Sequence, residues 1–210
     1  LPPFPESEAR RAVEEALGGR LEDHFAEFGP PIAAASIAQV HKAVVRDGAG
    51  SRNVAVKILR PGIERRFRQD LDAFYFAARQ IERFHAPSRR LRPVAVVDTL
   101  AHSVEIEMDL RLEAAAISEI AENIAKSGDK GFRVPTVDWR RTAKRVLTIE
   151  WIDGSSIADR AGIEAGGHDR RALGLTVLQT FLRHAMRAGF FHADMHQGNL
   201  LVEHDGTIVA

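Results

Sequence analysis

Three polar residues late in the sequence have the types and the spacing of a catalytic loop. The acid Asp194 stands five positions before the amide Asn199, and His192 lies two positions before the acid. A carboxylate on a loop can accept a hydroxyl proton, and an amide oxygen can ligate Mg²⁺. Apolar residues flank this polar stretch on both sides, so one short loop would aim both groups at the same reacting centre.

The spacing reproduces the His-x-Asp-x-x-x-x-Asn frame of phosphotransferases of the protein-kinase type. In that chemistry the Asp orients the attacking hydroxyl, and the Asn ligates a magnesium ion that bridges the phosphates. Asp194 and Asn199 are therefore candidate catalytic residues, and Asn199 is the candidate metal ligand. A structural alternative stays open, because Asp, Gly and Asn are common turn formers and His192 could be a buried, hydrogen-bonded histidine.

A kinase-type phosphotransferase also needs a lysine on a strand to hold the α and β phosphates. Apolar residues alternate at 40–45 and 54–59 around a Gly-containing turn, which predicts a β-hairpin. Its second strand carries Val-Ala-Val-Lys at 54–57, the Val-Ala-Ile-Lys pattern of the third kinase strand. Lys57 is therefore the third candidate catalytic residue, and Ala55 is a candidate nucleotide contact.

The segment before this hairpin is the candidate phosphate-covering loop. Kinases place Gly-x-Gly-x-x-Gly-x-Val there, and the frame fits here with alanine in all three glycine places. Glycine lets the backbone approach phosphate closely, so we expect the alanines to hold the nucleotide differently and to present its γ-phosphate poorly. The alternative is an apolar segment unrelated to phosphate. The candidate nucleotide-binding residues of the segment are Ala33, Ala34, Ala35, Ser36, Ile37, Ala38 and Val40.

Two long helical patterns follow. The first runs from Gly62 to about His85 with one strongly basic face, which is either solvated or a docking surface for anionic lipid headgroups or an acidic partner. The second runs from about Val94 to Ala125. A kinase needs one carboxylate in this region to pair with Lys57. Spacing alone does not choose it among Glu105, Glu107, Asp109, Glu113, Glu119 and Glu122.

Two short strand patterns at 134–138 and 145–151 precede the last part of the sequence. In a kinase plan the end of the second strand is the hinge, where the backbone of Glu150, Trp151 and Ile152 would meet the adenine edge. Trp151 could equally be a core residue. An amphipathic helix at 170–188 then leads into the catalytic loop, and residues 200–210 predict a second hairpin.

Composition excludes several classes of protein. The 210 residues have no cysteine, so disulfides, thiolate metal sites and cysteine nucleophiles are absent. The formal net charge is zero, so no overall field would recruit nucleic acid. Hydrophobic residues make up 45% of the chain without a run of 18, so we expect a globular protein with no membrane span.

Taken together, these motifs resemble the UbiB family of atypical kinase-like proteins, and the likeness extends over essentially the whole chain. The resemblance implies an α+β, protein-kinase-like fold with two lobes. It implies ATP or ADP as cofactor with Mg²⁺, and weak or absent protein-kinase activity in trans with ATPase-like behaviour. It also implies a role supporting ubiquinone biosynthesis at a membrane. The segments that carry it are residues 33–41, Glu107-x-Asp109 with 113–115, residues 150–154 and residues 191–201.

Carried over by position, the resemblance implies that Lys57 holds phosphates and pairs with Glu113. Glu107 and Asp109 would form the family's extra acidic element in the nucleotide site, and Glu107 stays open as the alternative partner of Lys57. The family's Lys-x-Gly-Gln element would precede Leu1, and its magnesium-binding Asp-Phe-Gly segment would follow Ala210. We therefore expect a fragment, truncated at both ends.

We expect a helical extension at residues 1–30, with a helical pattern over 6–28, a kinase-like N-lobe at 31–152 and the start of a C-lobe at 153–210. The expected partners are a nucleotide and, by the resemblance, lipid precursors or the ubiquinone-biosynthesis enzyme assembly, without nucleic acid. The expected location is cytoplasmic, peripheral to the inner membrane. Two alternatives stay open: a small-molecule phosphotransferase of the aminoglycoside or choline kinase type, and a nucleotide-sensing scaffold.

Overall fold

A computed structural model describes residues 2–48, 50–128, 131–187 and 197–210. The chain forms two compact units. The first contains Leu1–Glu113 and Trp139–Thr148, and the second contains Ala114–Asp138 and Ile149–Ala210. The lobe boundaries expected at residues 30 and 152 stay predictions.

The described residues form both helices and strands. The helices are α1 (Glu6–Leu17), α2 (Leu21–His24), α3 (Ile63–Phe84), α4 (Pro93–Glu107), α5 (Leu110–Ser127), α6 (Arg160–Ala165) and α7 (Arg170–Arg187). The strands are β1 (Glu27–Ala34), β2 (Ala38–Asp47), β3 (Gly50–Leu59), β4 (Phe132–Arg133), β5 (Val146–Glu150), β6 (Gly154–Ser156), β7 (Leu201–Glu203) and β8 (Ile208–Val209). Two 3₁₀ helices cover Ala86–Leu91 and Trp139–Arg141.

A four-stranded sheet in the order β1-β2-β3-β5 organises the first unit. β2 and β3 pair antiparallel without interruption from Ala38 opposite Leu59 to Asp47 opposite Gly50, which confirms the predicted hairpin and extends it. Val54, Val56 and Ile58 alternate along β3 on the buried face. This face packs against α1, and the side chains that alternate with it, Lys57 among them, point to the opposite face of the hairpin.

The helical pattern expected over residues 6–28 is wrong beyond α2. Helix α1 ends at Leu17, where Gly18 and Gly19 adopt positive φ values of 73° and 76°. Glu27–Ala34 instead forms strand β1, which pairs with β2. Pairing with a neighbouring strand therefore overrides the apolar spacing of Phe25 and Phe28, both of which still pack against the core.

The helix expected from Gly62 to His85 is confirmed as α3, whereas the region expected as one helix from Val94 to Ala125 is two helices. Met108 and Asp109 interrupt it. The Asp109 carboxylate accepts the backbone N–H of Arg111 at 3.1 Å, which caps the start of α5. The backbone N–H of Leu110 donates to the Lys144 carbonyl at 2.9 Å and fixes where this second helix begins.

The second unit contains a sheet in the order β4-β8-β7-β6. β7 and β8 form the predicted hairpin near the end of the sequence, and β4 adds to β8 in parallel. The predicted helix before the catalytic loop is confirmed as α7, and its Leu173 packs in the core of this unit with Phe132 and Ile208. In the part of the chain that the structure describes, no helix is long and apolar enough to cross a membrane.

Candidate functional site

Predicted site residues from three strands lie in one row across the first sheet. Ala33 of β1 is paired with Val40 of β2, and Val40 is paired with Lys57 of β3. Directly paired residues point to the same side of a sheet, and Ala55 shares this side because it lies two residues before Lys57. The structure therefore brings these four residues to one face, opposite the buried core.

Lys57 forms a two-pronged ion pair on that face. Its Nζ donates to Glu113 Oε1 at 2.9 Å and to Oε2 at 2.8 Å. The side chains of Lys57 and Glu113 are 32% and 41% exposed, so the ammonium is fixed in position yet accessible to an anionic ligand. A strand lysine held by a helix glutamate is the arrangement that orients the phosphates in protein kinases.

The first turn of α5 presents Glu113, and Asp109 fixes that turn. Asp109 also accepts two hydrogen bonds from the Arg111 guanidinium, at 2.8 Å from Nε and 2.6 Å from Nη2. These bonds to Arg111 hold the pKa of Asp109 below its ordinary value, so the cap stays ionised. Glu107 ends α4 and is exposed. In the Glu107-x-Asp109 element, Asp109 is therefore hydrogen-bonded at the start of α5, whereas Glu107 is exposed at the end of α4. Their roles toward a nucleotide stay predictions.

The Ala-rich segment forms the tip of the β1–β2 hairpin. Ala33 and Ala34 belong to β1, Ala38 belongs to β2, and the backbone N–H of Ala35 donates to the Ala38 carbonyl at 2.8 Å. Only Ala35, Ser36 and Ile37 lie outside the strands. Residues 33–36 are exposed, so the backbone of the tip is available to a ligand.

Sequence reasoning missed Arg60, which contacts this tip. Its Nε and Nη2 donate to the Ala35 carbonyl at 3.2 and 3.0 Å, and its backbone N–H donates to the Ile37 carbonyl at 2.8 Å. In the sequence Arg60 precedes Pro61 and Gly62, a context that indicates a turn and gives no signal of a contact 25 residues away.

The predicted hinge segment has a structural anchor in the second unit. Arg133 donates to both oxygens of Glu150 at 2.9 Å each, and to both oxygens of Glu203 at 2.8 and 2.7 Å. The Glu150 backbone N–H donates to the Thr136 carbonyl at 2.8 Å. Trp151 and Ile152 are half-buried beyond the end of β5. The adenine contacts expected of these residues stay predictions.

Burial and hydrogen bonding act in opposite directions on Glu150. Desolvation works to raise its pKa, but the hydrogen bonds from Arg133 and from the Thr136 backbone N–H outweigh it and hold the pKa below its ordinary value. The bonds to Glu203 and, next, to Glu150 also raise the pKa of Arg133. The hydrogen bonds from Arg133 to Glu150 and Glu203 therefore join β4, β5 and β7.

The predicted catalytic loop is described only in its last part. Asp194 and His192 lie outside the described residues. Asn199 is exposed, and it precedes the buried Leu200, which lies directly before β7. Among the described residues, no group of three or more histidine or acidic side chains could hold a metal ion. The assignment of Asn199 as a magnesium ligand therefore stays a prediction.

The full chain, residues 1–210, matches the family model of the ABC1 atypical kinase-like domain. It is 41% identical over 204 residues to a probable protein kinase UbiB of Marinobacter nauticus, 37% identical to that of Cellvibrio japonicus and 38% identical to that of Xylella fastidiosa. Each match covers 97% of this chain but 36% of the relative. The chain thus spans about a third of the length of these curated relatives.

Among solved structures, the chain is similar to a crystal structure of Rad53 in complex with AMP-PNP. The TM-score is 0.42 and the identity is 14%, over 88% of this chain and 37% of the other. The match between the family model and residues 1–210 shows the family of this chain. The chain belongs to the ABC1 atypical kinase-like family, in which its mixed helix and sheet fold is kinase-like.

Proposed function

We propose that the protein binds ATP or ADP with Mg²⁺ and acts as an atypical kinase or ATPase of the UbiB type. The observation that carries this proposal is the ion pair between Lys57 and Glu113, at 2.8 and 2.9 Å. Kinases of known mechanism need this lysine–glutamate pair in place before phosphoryl transfer. Membership of a kinase-like family supports the same assignment.

Each proposed residue has a separate task. Lys57 would hold the α and β phosphates, with its ammonium kept in position by Glu113. Asp194 would orient the attacking hydroxyl or water, and Asn199 would offer its amide oxygen to the metal ion. When bound, Mg²⁺ supplies charge neutralisation at the phosphates. The backbone of Glu150, Trp151 and Ile152 would contact the adenine edge.

ATPase-like behaviour, with little transfer to proteins, follows from the alanine side chains at the hairpin tip. Residues 33–36 are exposed, and Ala33, Ala35 and Ala38 each carry a Cβ where a kinase glycine would let the backbone approach the phosphates. Ala33, Ala34, Ala35, Ser36, Ile37, Ala38 and Val40 would therefore retain a nucleotide better than they present its γ-phosphate.

The biological setting is proposed from the relatives. Those named probable protein kinase UbiB are about 40% identical to this chain, and the resemblance to their family implies support of ubiquinone biosynthesis. Lipid precursors or the enzyme assembly of that pathway would be the partners. The protein would work in the cytoplasm at the surface of the inner membrane.

Calorimetric titration with Mg·ADP and a coupled ATPase assay test the proposal. We expect the wild-type protein, at the full length of its relatives, to bind Mg·ADP and to hydrolyse ATP slowly. Lys57→Ala should lower the affinity about tenfold, since it removes a charge-assisted contact to phosphate. Lys126→Ala is the matched control, because Lys126 is an exposed lysine paired with Glu122 on α5.

The variant Asp194→Asn separates catalysis from binding. We expect it to keep its affinity for Mg·ADP and to lose ATP hydrolysis, because the amide cannot accept the proton. Undiminished hydrolysis would remove Asp194 from the mechanism. Tight nucleotide binding without any hydrolysis by the wild type would instead favour a nucleotide-sensing scaffold.

A further inference from the structure

Arg60 connects the Ala-rich hairpin tip to a second segment, residues 2–4, which we call the strap. Its Nη2 donates both to the Ala35 carbonyl at 3.0 Å and to the Pro2 carbonyl at 2.8 Å. Its guanidinium carbon also lies 5.6 Å from the centre of the Phe4 ring, within range of a cation–π contact. One side chain therefore contacts the tip and the strap together.

The strap is itself fixed to strand β2. The Phe4 backbone N–H donates to Gln39 Oε1 at 2.9 Å, and Gln39 Nε2 lies 3.4 Å from the Phe4 carbonyl. Gln39 is 1% exposed and Phe4 is 9% exposed. Because the contact is buried and hydrogen-bonded in both directions, the strap has one position relative to the hairpin.

A buried histidine sets the orientation of the Gln39 amide. His41 Nδ1 lies 2.8 Å from the Gly29 carbonyl, which can only accept, so Nδ1 carries the proton. His41 Nε2 then accepts from Gln39 Nε2 at 2.8 Å, and this leaves Gln39 Oε1 to face the Phe4 N–H. Burial lowers the pKa of His41, which keeps the ring neutral as this chain of hydrogen bonds requires.

We propose that Arg60 is a positioning residue that fixes the Ala-rich tip, with the strap as its support, and that it thereby slows nucleotide release. The tip has only three residues outside the strands, and Arg60 binds two of their carbonyls, that of Ala35 through its side chain and that of Ile37 through its backbone N–H. A tip held in this way cannot bend away from a bound phosphate unless the Arg60 bonds break. This inference rests on the proposed nucleotide binding at Lys57.

Fixing the tip affects the affinity for a nucleotide as well as the rate of nucleotide release. A preformed tip loses less conformational entropy when it orders over a ligand, so the affinity rises. The same bonds must open for the ligand to leave, which lengthens its residence time. Arg60 and the alanine side chains would then act in the same direction, toward retention of nucleotide.

Release of N-methylanthraniloyl-ADP, followed by stopped-flow fluorescence with Mg²⁺ present, measures the effect. We expect Arg60→Ala to release the nucleotide about fivefold faster, as for the loss of a hydrogen bond of ordinary net strength. The release rate of Arg60→Lys should lie between those of the wild type and Arg60→Ala, because lysine has one donor nitrogen where Nε and Nη2 of Arg60 both donate to the Ala35 carbonyl. Phe4→Ala should also speed release, and Arg46→Ala at the far, exposed end of β2 should not.

Hydrogen exchange without nucleotide gives a second, independent readout. We expect exchange over residues 33–38 to rise in Arg60→Ala while α1 and α5 keep their protection. Unchanged exchange at the tip together with an unchanged release rate would overturn the inference. A rise across the whole first unit would overturn it as well, since Arg60 would then be a general stabilising residue.

The two proposals fail in different ways. If wild-type protein shows no saturable binding of the labelled ADP, the proposed function fails, while hydrogen exchange still decides whether Arg60 holds the tip. If the wild type binds and Lys57→Ala does not, but Arg60→Ala releases at the wild-type rate, only the role of Arg60 is lost. Should Arg60→Ala fail to fold, Arg60→Lys and Phe4→Ala carry both measurements.

Discussion

The Lys57 ammonium contacts both carboxylate oxygens of Glu113, at 2.9 and 2.8 Å, across 56 positions of sequence. This contact joins strand β3 to the first turn of α5. Glu107 precedes the helix break at Met108 and Asp109, so it belongs to a different helix from Glu113. The break between α4 and α5 therefore determines which carboxylate the lysine meets.

The first prediction concerns the charge on Glu113. Glu113→Gln keeps the size of the side chain but removes the anion that holds the Lys57 ammonium in position. We expect the affinity for Mg·ADP to fall about fivefold, which corresponds to about 1 kcal/mol for a partly exposed ion pair. Calorimetric titration at low and high salt measures the change, and the loss should be smaller at high salt.

Glu122→Gln is the matched control, since it removes the same charge from an exposed position of the helix that carries Glu113. We expect its affinity to stay within about twofold of the wild type, as for an exposed surface charge. If Glu122→Gln weakens binding as much as Glu113→Gln does, the loss comes from the change in net charge and not from the pair with Lys57.

The second prediction concerns the hairpin tip. Ala35→Gly removes a Cβ and widens the backbone freedom of an exposed residue between β1 and β2. We expect phosphoryl transfer to rise relative to nucleotide retention, because the tip can approach the γ-phosphate more closely. The rate of ATP hydrolysis and the affinity for Mg·ADP, measured on the same preparation, give the ratio. If neither the rate nor the affinity changes, the tip has no part in the mechanism.

Local signals in the sequence were sufficient for much of this fold. Alternation at 40–45 and 54–59 predicted the β2–β3 hairpin, and helical periodicity predicted α3 and α7, because each element is specified by its own residues. The Val-Ala-Val-Lys pattern likewise located Lys57 on β3. Such features depend on neighbours a few positions apart.

Contacts between distant residues could not be read in the same way. Strand β1 forms because it pairs with β2, and the helical spacing of Phe25 and Phe28 gave no indication of that pairing. Three side-chain contacts become known only from the folded structure. They are the bonds of Lys57 to Glu113, of Arg60 to Ala35 and of Arg133 to Glu150. Side-chain pairing at long range is thus what the structure adds to the sequence.

The third prediction is a pH dependence that arises at Glu150. Its pKa in the folded protein is held below the ordinary value of 4.5, so the unfolded chain takes up a proton first as the pH falls. The stabilisation is therefore fully present above pH 4.5 and is lost as the pH falls through the folded pKa. Urea unfolding between pH 3 and 7 should show the free energy of unfolding declining over this acidic range.

A double-mutant cycle isolates the Arg133–Glu150 part of that decline. The variants are Arg133→Met, which keeps the aliphatic stem, Glu150→Gln and the two combined, and Glu203 is common to all of them. We expect a coupling of about 1 kcal/mol at pH 7, as for a partly exposed pair, and a smaller one at pH 3. A coupling that does not change with pH would place the acid sensitivity elsewhere.

The fourth prediction concerns Gly154, where β6 crosses close to β7. A Cβ added at Gly154 would lie 2.6 Å from the Val202 carbonyl oxygen, and a strand backbone cannot move aside as a flexible side chain can. We expect Gly154→Ala to lower the free energy of unfolding by about 1–3 kcal/mol, the usual cost of overpacking.

Gly174→Ala is the matched control, because Gly174 is exposed within α7 and a Cβ there meets nothing within 4 Å. That variant should raise the free energy of unfolding by up to about 1 kcal/mol, since alanine favours the helix. Urea unfolding of both variants should therefore give changes of opposite sign, and a loss of stability in both would show that the β6–β7 approach is not what makes Gly154 necessary.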